Sequence, residues 1–495
     1  MVSFSLEQIV EKDLIDLLRA STVVDGPALE GVVVDEYDRR DDLDDEEDDK
    51  DDEPVWGLVP AKSSIVWTDE QNMALEKIGD WHGKYTPYLS LTGPAGVGKT
   101  TLLREVISRF PNATLTAMTG KAALRLSQLA GRDASTLHAK LYEPPKMDEK
   151  RQYKELFFTE LRDAPSSLVV IDEASMTGAA IFEDLQRWGC RILFVGDSYQ
   201  LPPVITGEEL KKHGKDYSVF AHVRGAELKT VMRNAGGVLR AATQVRETGL
   251  MCRESHLDGA DEGYQFITEK NPIERVVEDY LNDRDDHMLI TWMNAPRMKA
   301  NRLIRKRLGH DGPLPDEGEP VLIRKNGGGF LNGQIVTWGG CESGPTLGST
   351  SECEGVRTLW MKVNDLGYEQ KLLVSFDGSL TKKDYEEYDK KIRDEKMFDG
   401  QMPWILNWAK YHADLRRFNL EAPVPVTFGY CLTAHSAQGS EAKRATVFLD
   451  RGDERNIHFN EETTLPSGEK AKFSARFLYT ALTRGKKSSR LIIGR

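Results

Sequence analysis

Eight consecutive residues, Gly93-Pro94-Ala95-Gly96-Val97-Gly98-Lys99-Thr100, fit the pattern G-x-x-x-x-G-K-[ST], and Thr101 follows them. Glycines at such positions let backbone N–H groups turn inward on a polyanion, and a helix N-terminus behind them adds positive potential. In a loop of this kind Lys99 reaches the β- and γ-phosphates of a nucleotide and the Thr100 hydroxyl ligates Mg²⁺. Beyond it, the apolar run Leu168–Ile171 ends in Asp172-Glu173. A carboxylate at the carboxyl end of a buried strand completes a Mg²⁺ shell, and its neighbour polarises the attacking water. Asp172 is therefore the expected second metal ligand and Glu173 the water-polarising group. The chemistry implied is binding and hydrolysis of ATP or another nucleoside triphosphate. A third segment, Gly196-Asp197-Ser198-Tyr199-Gln200-Leu201-Pro202-Pro203-Val204, follows another apolar run and places Gln200 to sense the γ-phosphate.

These residues need strands that end at one edge of a sheet. From about Ser64 onward apolar strand-sized runs alternate with helical patterns, which predicts an α/β fold. The strands expected are Tyr88–Thr92, Thr114–Thr119, Leu168–Asp172, Arg191–Gly196, Met288–Trp292, Val426–Leu432, Ala445–Asp450 and Arg490–Ile493. A helix is expected from Lys99 to Phe110, with Leu102, Leu103, Val106, Ile107 and Phe110 on its buried face. Between about Asn326 and Pro425 the rhythm breaks. Short alternating strands (Gly333–Trp338, Thr358–Val363, Lys371–Phe376) precede a charged helical stretch, Thr381 to Phe418, which reads as an inserted β module with a helical arm.

The 495 residues carry a net charge of −13, which on its own disfavours a nucleic-acid partner. Its distribution reverses that inference. Asp35 to Glu53 holds 14 acidic residues against Arg39, Arg40 and Lys50, a charge of −11 that leaves only −2 for the rest. A near-neutral body accommodates a basic groove. The acidic run lacks apolar residues to bury and is expected to be disordered. Before it, Leu6, Ile9, Val10, Leu14, Leu17 and Leu18 form one stripe of an amphipathic helix, Ser5 to Ala20, with a Ser5/Gln8 capping box. This N-terminal part is either a solvating tail or a tethered helix that docks on a protein partner. Hydrophobic residues make up 39% of the chain, enough for large cores and against global disorder. No run approaches the ~18 apolar residues of a membrane helix. Glu7, Glu11, Asp13 and Asp16 interrupt any secretory signal. Cys190, Cys252, Cys341, Cys353 and Cys431 are too scattered for a disulfide framework or a zinc site. A soluble cytoplasmic protein without membrane partners is expected.

Further segments narrow the class. Thr68-Asp69-Glu70-Gln71 precedes the phosphate loop, and Thr116-Ala117-Met118-Thr119-Gly120-Lys121-Ala122-Ala123 and Thr136-Leu137-His138 follow it. Leu228–Arg233, Asn294 and Asn301-Arg302 come next, then Thr433-Ala434-His435-Ser436-Ala437-Gln438-Gly439-Ser440 and Tyr479-Thr480-Ala481-Leu482-Thr483-Arg484-Gly485. From about Thr68 to the C-terminus, with its signals in order, the chain resembles superfamily 1 helicases, and among them the RecD-like and phage Dda-like branch that moves 5′ to 3′ on single-stranded DNA. The resemblance implies two RecA-like motor domains in tandem. The first spans 61–226 with a pin-type insertion at about 139–165; the second is assembled from 227–325 and 426–495. An SH3-like module with the helical arm is inserted at 326–425, and 1–60 precede the motor. It further implies that Gln71 reads adenine and Gly439 adjoins the nucleotide. By the same token Arg233 and Arg484 reach across the cleft to the γ-phosphate, while Thr119, Lys121, His138, Asn294, His435 and Ser436 contact DNA. The partners implied are ATP with Mg²⁺, single-stranded DNA and forked duplex, acted on by a monomer. Two alternatives share the motor: an RNA helicase of the same superfamily, which the Thr119–Ala123 and Tyr479–Gly485 segments disfavour, and a translocase that remodels protein–DNA complexes without unwinding. Within the insertion, Phe157-Phe158 are expected as core residues of a helix rather than as an aromatic wedge at the fork.

Overall fold

The computed structural model describes residues 66–495, apart from positions 85, 144–145, 148–156, 159–160, 204–206, 215, 231–235, 313, 325–329, 331, 348–355, 364–369, 377–413, 415–416, 419–422 and 451. The chain forms two compact units. Of the smaller, residues 346–347, 356, 414, 417 and 418 are described; there the Arg417 guanidinium lies 5.5 Å from the Phe418 ring centre. The expected N-terminal helix, the acidic run and nearly all of the expected arm lie outside the described residues. The larger unit contains two sheets and a barrel.

The first sheet has six parallel strands in the order Ala134–Thr136, Thr114–Ala117, Leu168–Asp172, Arg191–Gly196, Tyr88–Thr92, Gly225–Glu227. Helices cover both faces of a parallel sheet, so its central strands carry unbroken apolar runs, Leu168–Ile171 and Ile192–Val195, rather than alternating ones. Leu168 and Val170 pack with Ile78, Leu102 and Val106, whereas Val169 and Ile171 pack with Leu137, Phe182 and Leu185. The helix behind the phosphate loop runs Lys99–Arg109 and buries Leu102, Leu103, Val106 and Ile107. The strand expected at Thr114–Thr119 stops at Ala117, because the Thr119 hydroxyl accepts the Ala122 N–H and caps the next helix, Gly120–Ala130.

The second sheet runs Cys431–Thr433, His287–Thr291, Ala442–Leu449, Gly485–Gly494, Gly263–Glu269, His256–Leu257; only the last is antiparallel. Met288, Ile290, Val447 and Leu491 face the helices Gly237–Thr248 and Phe473–Leu482, and Leu289, Phe448 and Ile492 face Pro272–Asn282 and Asn294–Arg307. A parallel-sheet α/β core is thus present twice. No helix among the described residues is long and apolar enough to cross a membrane.

Two expectations fail here. Val426–Leu432 is not one strand. Val424–Phe428 closes a barrel with Pro320–Ile323, Ile335–Leu347, Val356–Val363 and Gln370–Phe376, while Cys431–Thr433 joins the second sheet. Between them the Gly429 N–H donates to Pro320 O at 2.8 Å, and a Cβ on Gly429 would approach that oxygen to 3.1 Å, so the chain crosses the barrel strand closely and changes sheet. The barrel therefore takes in strands on both sides of 326–425. Phe157–Phe158 are not helical either: they form a strand antiparallel to Lys146–Met147, and the Tyr142–Leu161 bridge brings the stem of this hairpin together.

Candidate functional site

The phosphate loop leaves the carboxyl end of Tyr88–Thr92 and enters the helix at Lys99. Gly96 and Gly98 take φ of 84° and 88°, left-handed values that favour glycine. At Gly98 a side chain would also collide with the Gln71 amide, 2.7 Å from the position of its Cβ. That amide donates to Val97 O at 3.1 Å, and its oxygen accepts the Thr68 N–H at 3.2 Å. Gln71 thus braces the loop from behind, and Val97 points into the core. The Lys99 ammonium donates to Gly93 O at 2.6 Å and Pro94 O at 2.8 Å. Burial draws its pKa down, while Asp197, Glu173 and Asp172 oppose the shift.

Asp172 ends the strand Leu168–Asp172, and Glu173 follows with φ of 54°, a strained backbone at a functional position. Burial, and then repulsion from Glu173, push the Asp172 carboxyl up to about 6, against the Glu173 N–H, Arg125 and Lys99. A carboxylate raised in this way favours a cation beside it. With the Thr100 hydroxyl it supplies the oxygen donors that suit Mg²⁺.

The other wall of the site comes from the second sheet. A cavity of about 930 Å³ is lined by Lys99, Thr100, Thr101, Asp172, Glu173 and Gln200 on one side and by Arg240, Glu441, Arg484, Lys486 and Lys487 on the other. Arg484 is buried, with its guanidinium donating to Thr480 O at 3.0 Å and Ser440 O at 3.2 Å. Arg233 lies outside the described residues. Arg240 stands in the cavity wall, paired with Asp258 at 2.7 Å.

The segment after Gly196 is clamped between the lobes. The Leu201 N–H donates to the Thr480 hydroxyl at 3.1 Å, and Arg476 donates to Gln200 O at 2.6 Å. The Gln438 amide donates to Gln200 Oε1 and Ser175 Oγ, both at 3.3 Å. Gln200 therefore spends its oxygen on Gln438, which leaves its NH₂ as the group available to the cavity. Tyr479, from the same helix as Arg476, accepts the Ala95 N–H of the phosphate loop at 2.8 Å and donates to Asp197. Asp197 is also paired with Arg246 at 3.1 Å, and the Arg246 guanidinium lies 5.3 Å from the Tyr199 ring centre.

Of the residues implied to contact DNA, Thr119 and Lys121 start the helix Gly120–Ala130, and exposed His138 leans on Tyr142 at a centroid distance of 5.3 Å. Asn294 starts the helix Asn294–Arg307, with its oxygen accepting from Arg297 at 3.0 Å. His435 and Ser436 follow Cys431–Thr433; burial lowers the His435 pKa to about 4, and the Ser436 hydroxyl is 3.1 Å from that of Thr433. All six thus lie just beyond carboxyl ends of sheet strands. Asn301 does not: it is buried and exchanges hydrogen bonds with the Cys431 backbone, so it fastens a helix to a strand. Gly439, implied to adjoin nucleotide, abuts the first lobe's helix, where a Cβ would lie 2.7 Å from Thr119 Oγ1. Arg125, Asp197, Arg240, Gln438, Glu441 and Tyr479 carry no expected role in the sequence; Asp197, Gln438 and Tyr479 lie inside the signature segments, which is the signal that pointed towards them.

An AAA domain family matches residues 67–258. The ATP-dependent DNA helicase dda of Enterobacteria phage T4 is 25% identical over 451 residues, 81% of this chain and 93% of that protein. The ATP-dependent RecD2 DNA helicase of Deinococcus radiodurans is 35% identical over 156 residues, 30% of this chain and 20% of that one. A solved structure of Pif1 helicase, described as the basis for DNA unwinding at forked double-stranded DNA, aligns over 86% of this chain and 92% of its own with a TM-score of 0.47 and 17% identity.

Proposed function

We infer that this chain is a superfamily 1 helicase of the RecD, Dda and Pif1 type, which hydrolyses ATP to move 5′ to 3′ along single-stranded DNA and open the duplex ahead. The observation that carries this reading is one cavity walled by Lys99, Thr100, Asp172 and Glu173 from one lobe and by Arg484 from the other. The two six-stranded sheets are read as tandem RecA-like motor domains, the barrel as an SH3-like insertion, and the paired residues 146–147 and 157–158 as the base of a strand-separating pin.

Thr100 and Asp172 would hold Mg²⁺, which when bound neutralises charge on the phosphates. Lys99 binds the phosphates, Glu173 orients the attacking water, and Gln200 presents its NH₂ towards the γ-phosphate. Arg484 supplies positive charge from across the cleft, a contribution worth ~10³–10⁵ in phosphoryl-transfer rate when such an arginine is positioned. Hydrolysis therefore needs the lobes together, and closure and release advance the two DNA-gripping edges in turn. Both halves of the site come from one chain, so a monomer suffices. Thr119, Lys121, His138, Asn294, His435 and Ser436 are proposed as the grip, acting on backbone phosphates and bases with little sequence preference.

The test is the rate of ATP hydrolysis with no nucleic acid, with single-stranded DNA and with matched RNA. Strong stimulation by DNA and weak stimulation by RNA is the expected result. Equal or greater stimulation by RNA would move the assignment to an RNA helicase.

A further inference from the structure

Arg125 has no part in the signature segments, yet it touches both lobes. It lies on the helix Gly120–Ala130, one turn after Lys121. One arm of its guanidinium donates to Thr100 Oγ1 at 2.9 Å, and the other pairs with Glu441 at 3.1 Å. Thr100 belongs to the phosphate loop, whereas Glu441 stands immediately before the second sheet's strand Ala442–Leu449. Lys486, on the second lobe, holds the other oxygen of Glu441 at 3.1 Å. The contact is not isolated, since Gly439, two residues before Glu441, abuts Thr119 at the start of the same helix. Segment 439–441 is thus seated along residues 119–125. The charge of Arg125 also acts on Asp172, the second oxygen donor proposed for Mg²⁺.

The oxygen that accepts from Arg125 is the Thr100 hydroxyl proposed to ligate Mg²⁺, and a guanidinium held against it repels a divalent cation, so the two compete for that oxygen. We propose that Arg125 is a positioning residue that competes with Mg²⁺ for the Thr100 hydroxyl and links that competition to the second lobe through Glu441. With Mg²⁺ and nucleotide bound, the Arg125 arm on the Thr100 hydroxyl would have to leave. The other arm stays on Glu441, so metal loading is transmitted to the segment that borders the DNA-side helix. This inference rests on the nucleotide-hydrolysing reading of the cavity.

The experiment is equilibrium binding of a fluorescent ADP analogue to the full chain, titrated with Mg²⁺ and repeated in EDTA. Arg125→Ala should lower the Mg²⁺ midpoint about tenfold, the scale of one charge-assisted hydrogen bond. Glu441→Gln strips Arg125 of its cross-cleft partner, strengthens its hold on Thr100 and should raise the midpoint. In the Arg125→Ala background Glu441→Gln should do nothing, the signature of two residues acting through one contact. If Arg125→Ala does not fold, Arg125→Gln, which keeps much of the side chain and removes its charge, takes its place and should lower the midpoint likewise. A midpoint that Arg125→Ala leaves unchanged or raises, or that Glu441→Gln leaves unchanged or lowers, overturns the proposal. Failure of the wild-type chain to bind nucleotide under any condition would instead overturn the nucleotide site itself.

Discussion

Replacing Tyr479 by Phe removes a single oxygen from the seam between the lobes and leaves the ring in place, edge-on to Tyr199 at 5.3 Å. That oxygen makes two bonds, one accepted from the phosphate-loop Ala95 N–H at 2.8 Å and one donated to the buried Asp197 carboxylate. A neutral hydrogen bond contributes ~1 kcal/mol and one to a charged group ~1.5–3 kcal/mol. Asp197 keeps Arg246 at 3.1 Å and the Tyr199 N–H at 3.0 Å, which places the loss at about 2–3 kcal/mol, towards the lower end of that sum. This energy ties the phosphate loop to the helix Phe473–Leu482, directly ahead of Arg484. If Arg484 closes on the transition state as proposed, and about half of this energy is expressed there, DNA-stimulated kcat falls roughly tenfold. Nucleotide affinity should change less than about twofold, a small fraction of one hydrogen bond. The assay is steady-state ATP hydrolysis at saturating single-stranded DNA, paired with equilibrium nucleotide binding. A Tyr479→Phe chain with unaltered kcat, or one that loses affinity in step with kcat, would refute the idea that this hydroxyl couples the lobes.

Three further outcomes follow from the same geometry. Lys99→Ala should abolish DNA-stimulated hydrolysis and unwinding yet retain single-stranded DNA binding, as read by fluorescence anisotropy; full turnover would contradict the site. Gln438→Ala frees the Gln200 amide to flip and should lower kcat about tenfold with little change in KM for ATP, because the lost interaction matters in the transition state; a change confined to KM would count against an orienting role. Burial, with Arg490 next to it, holds the His287 pKa down to about 4, and its ring nitrogens face Asp283 O and Thr446 Oγ1 at 2.8 and 2.9 Å. The unfolded chain takes up a proton below ~6.5 that the folded chain refuses until about 4, so this contribution is complete above ~6.5 and is lost as the pH falls towards 4, by at most about 3 kcal/mol. His287→Gln should flatten the pH dependence of the denaturant midpoint between pH 7 and 5, and an unchanged slope would remove His287 as its source.

Much of the catalytic side was legible because its chemistry is local. The phosphate loop, the strand Leu168–Asp172 and the helix behind Lys99 each announce themselves within a dozen residues, by glycines, an unbroken apolar run and a 3.6-residue stripe. What stayed hidden depends on contacts made far along the chain. Arg125 meets Glu441 across 316 positions, and nothing near it in the sequence marks it out. The run Val426–Leu432 is mostly apolar, and apolarity does not say which sheet a strand joins; the turn at Gly429 is dictated by Pro320, on a barrel strand more than a hundred positions earlier. Phe157-Phe158 lack the alternation that marks a strand, and their hairpin is set by pairing at its stem. Asn301 belongs to a signature segment, yet its helix turns it inward onto the Cys431 backbone, a contact 130 positions away.

The most direct test of the central claim is strand separation on two partial duplexes that differ only in the polarity of their single-stranded tail. ATP-dependent release from the 5′-tailed duplex, absent on the 3′-tailed one and abolished by Lys99→Ala, is the result expected. Release from the 3′-tailed duplex alone, or ATP consumption that ignores both substrates, would contradict it.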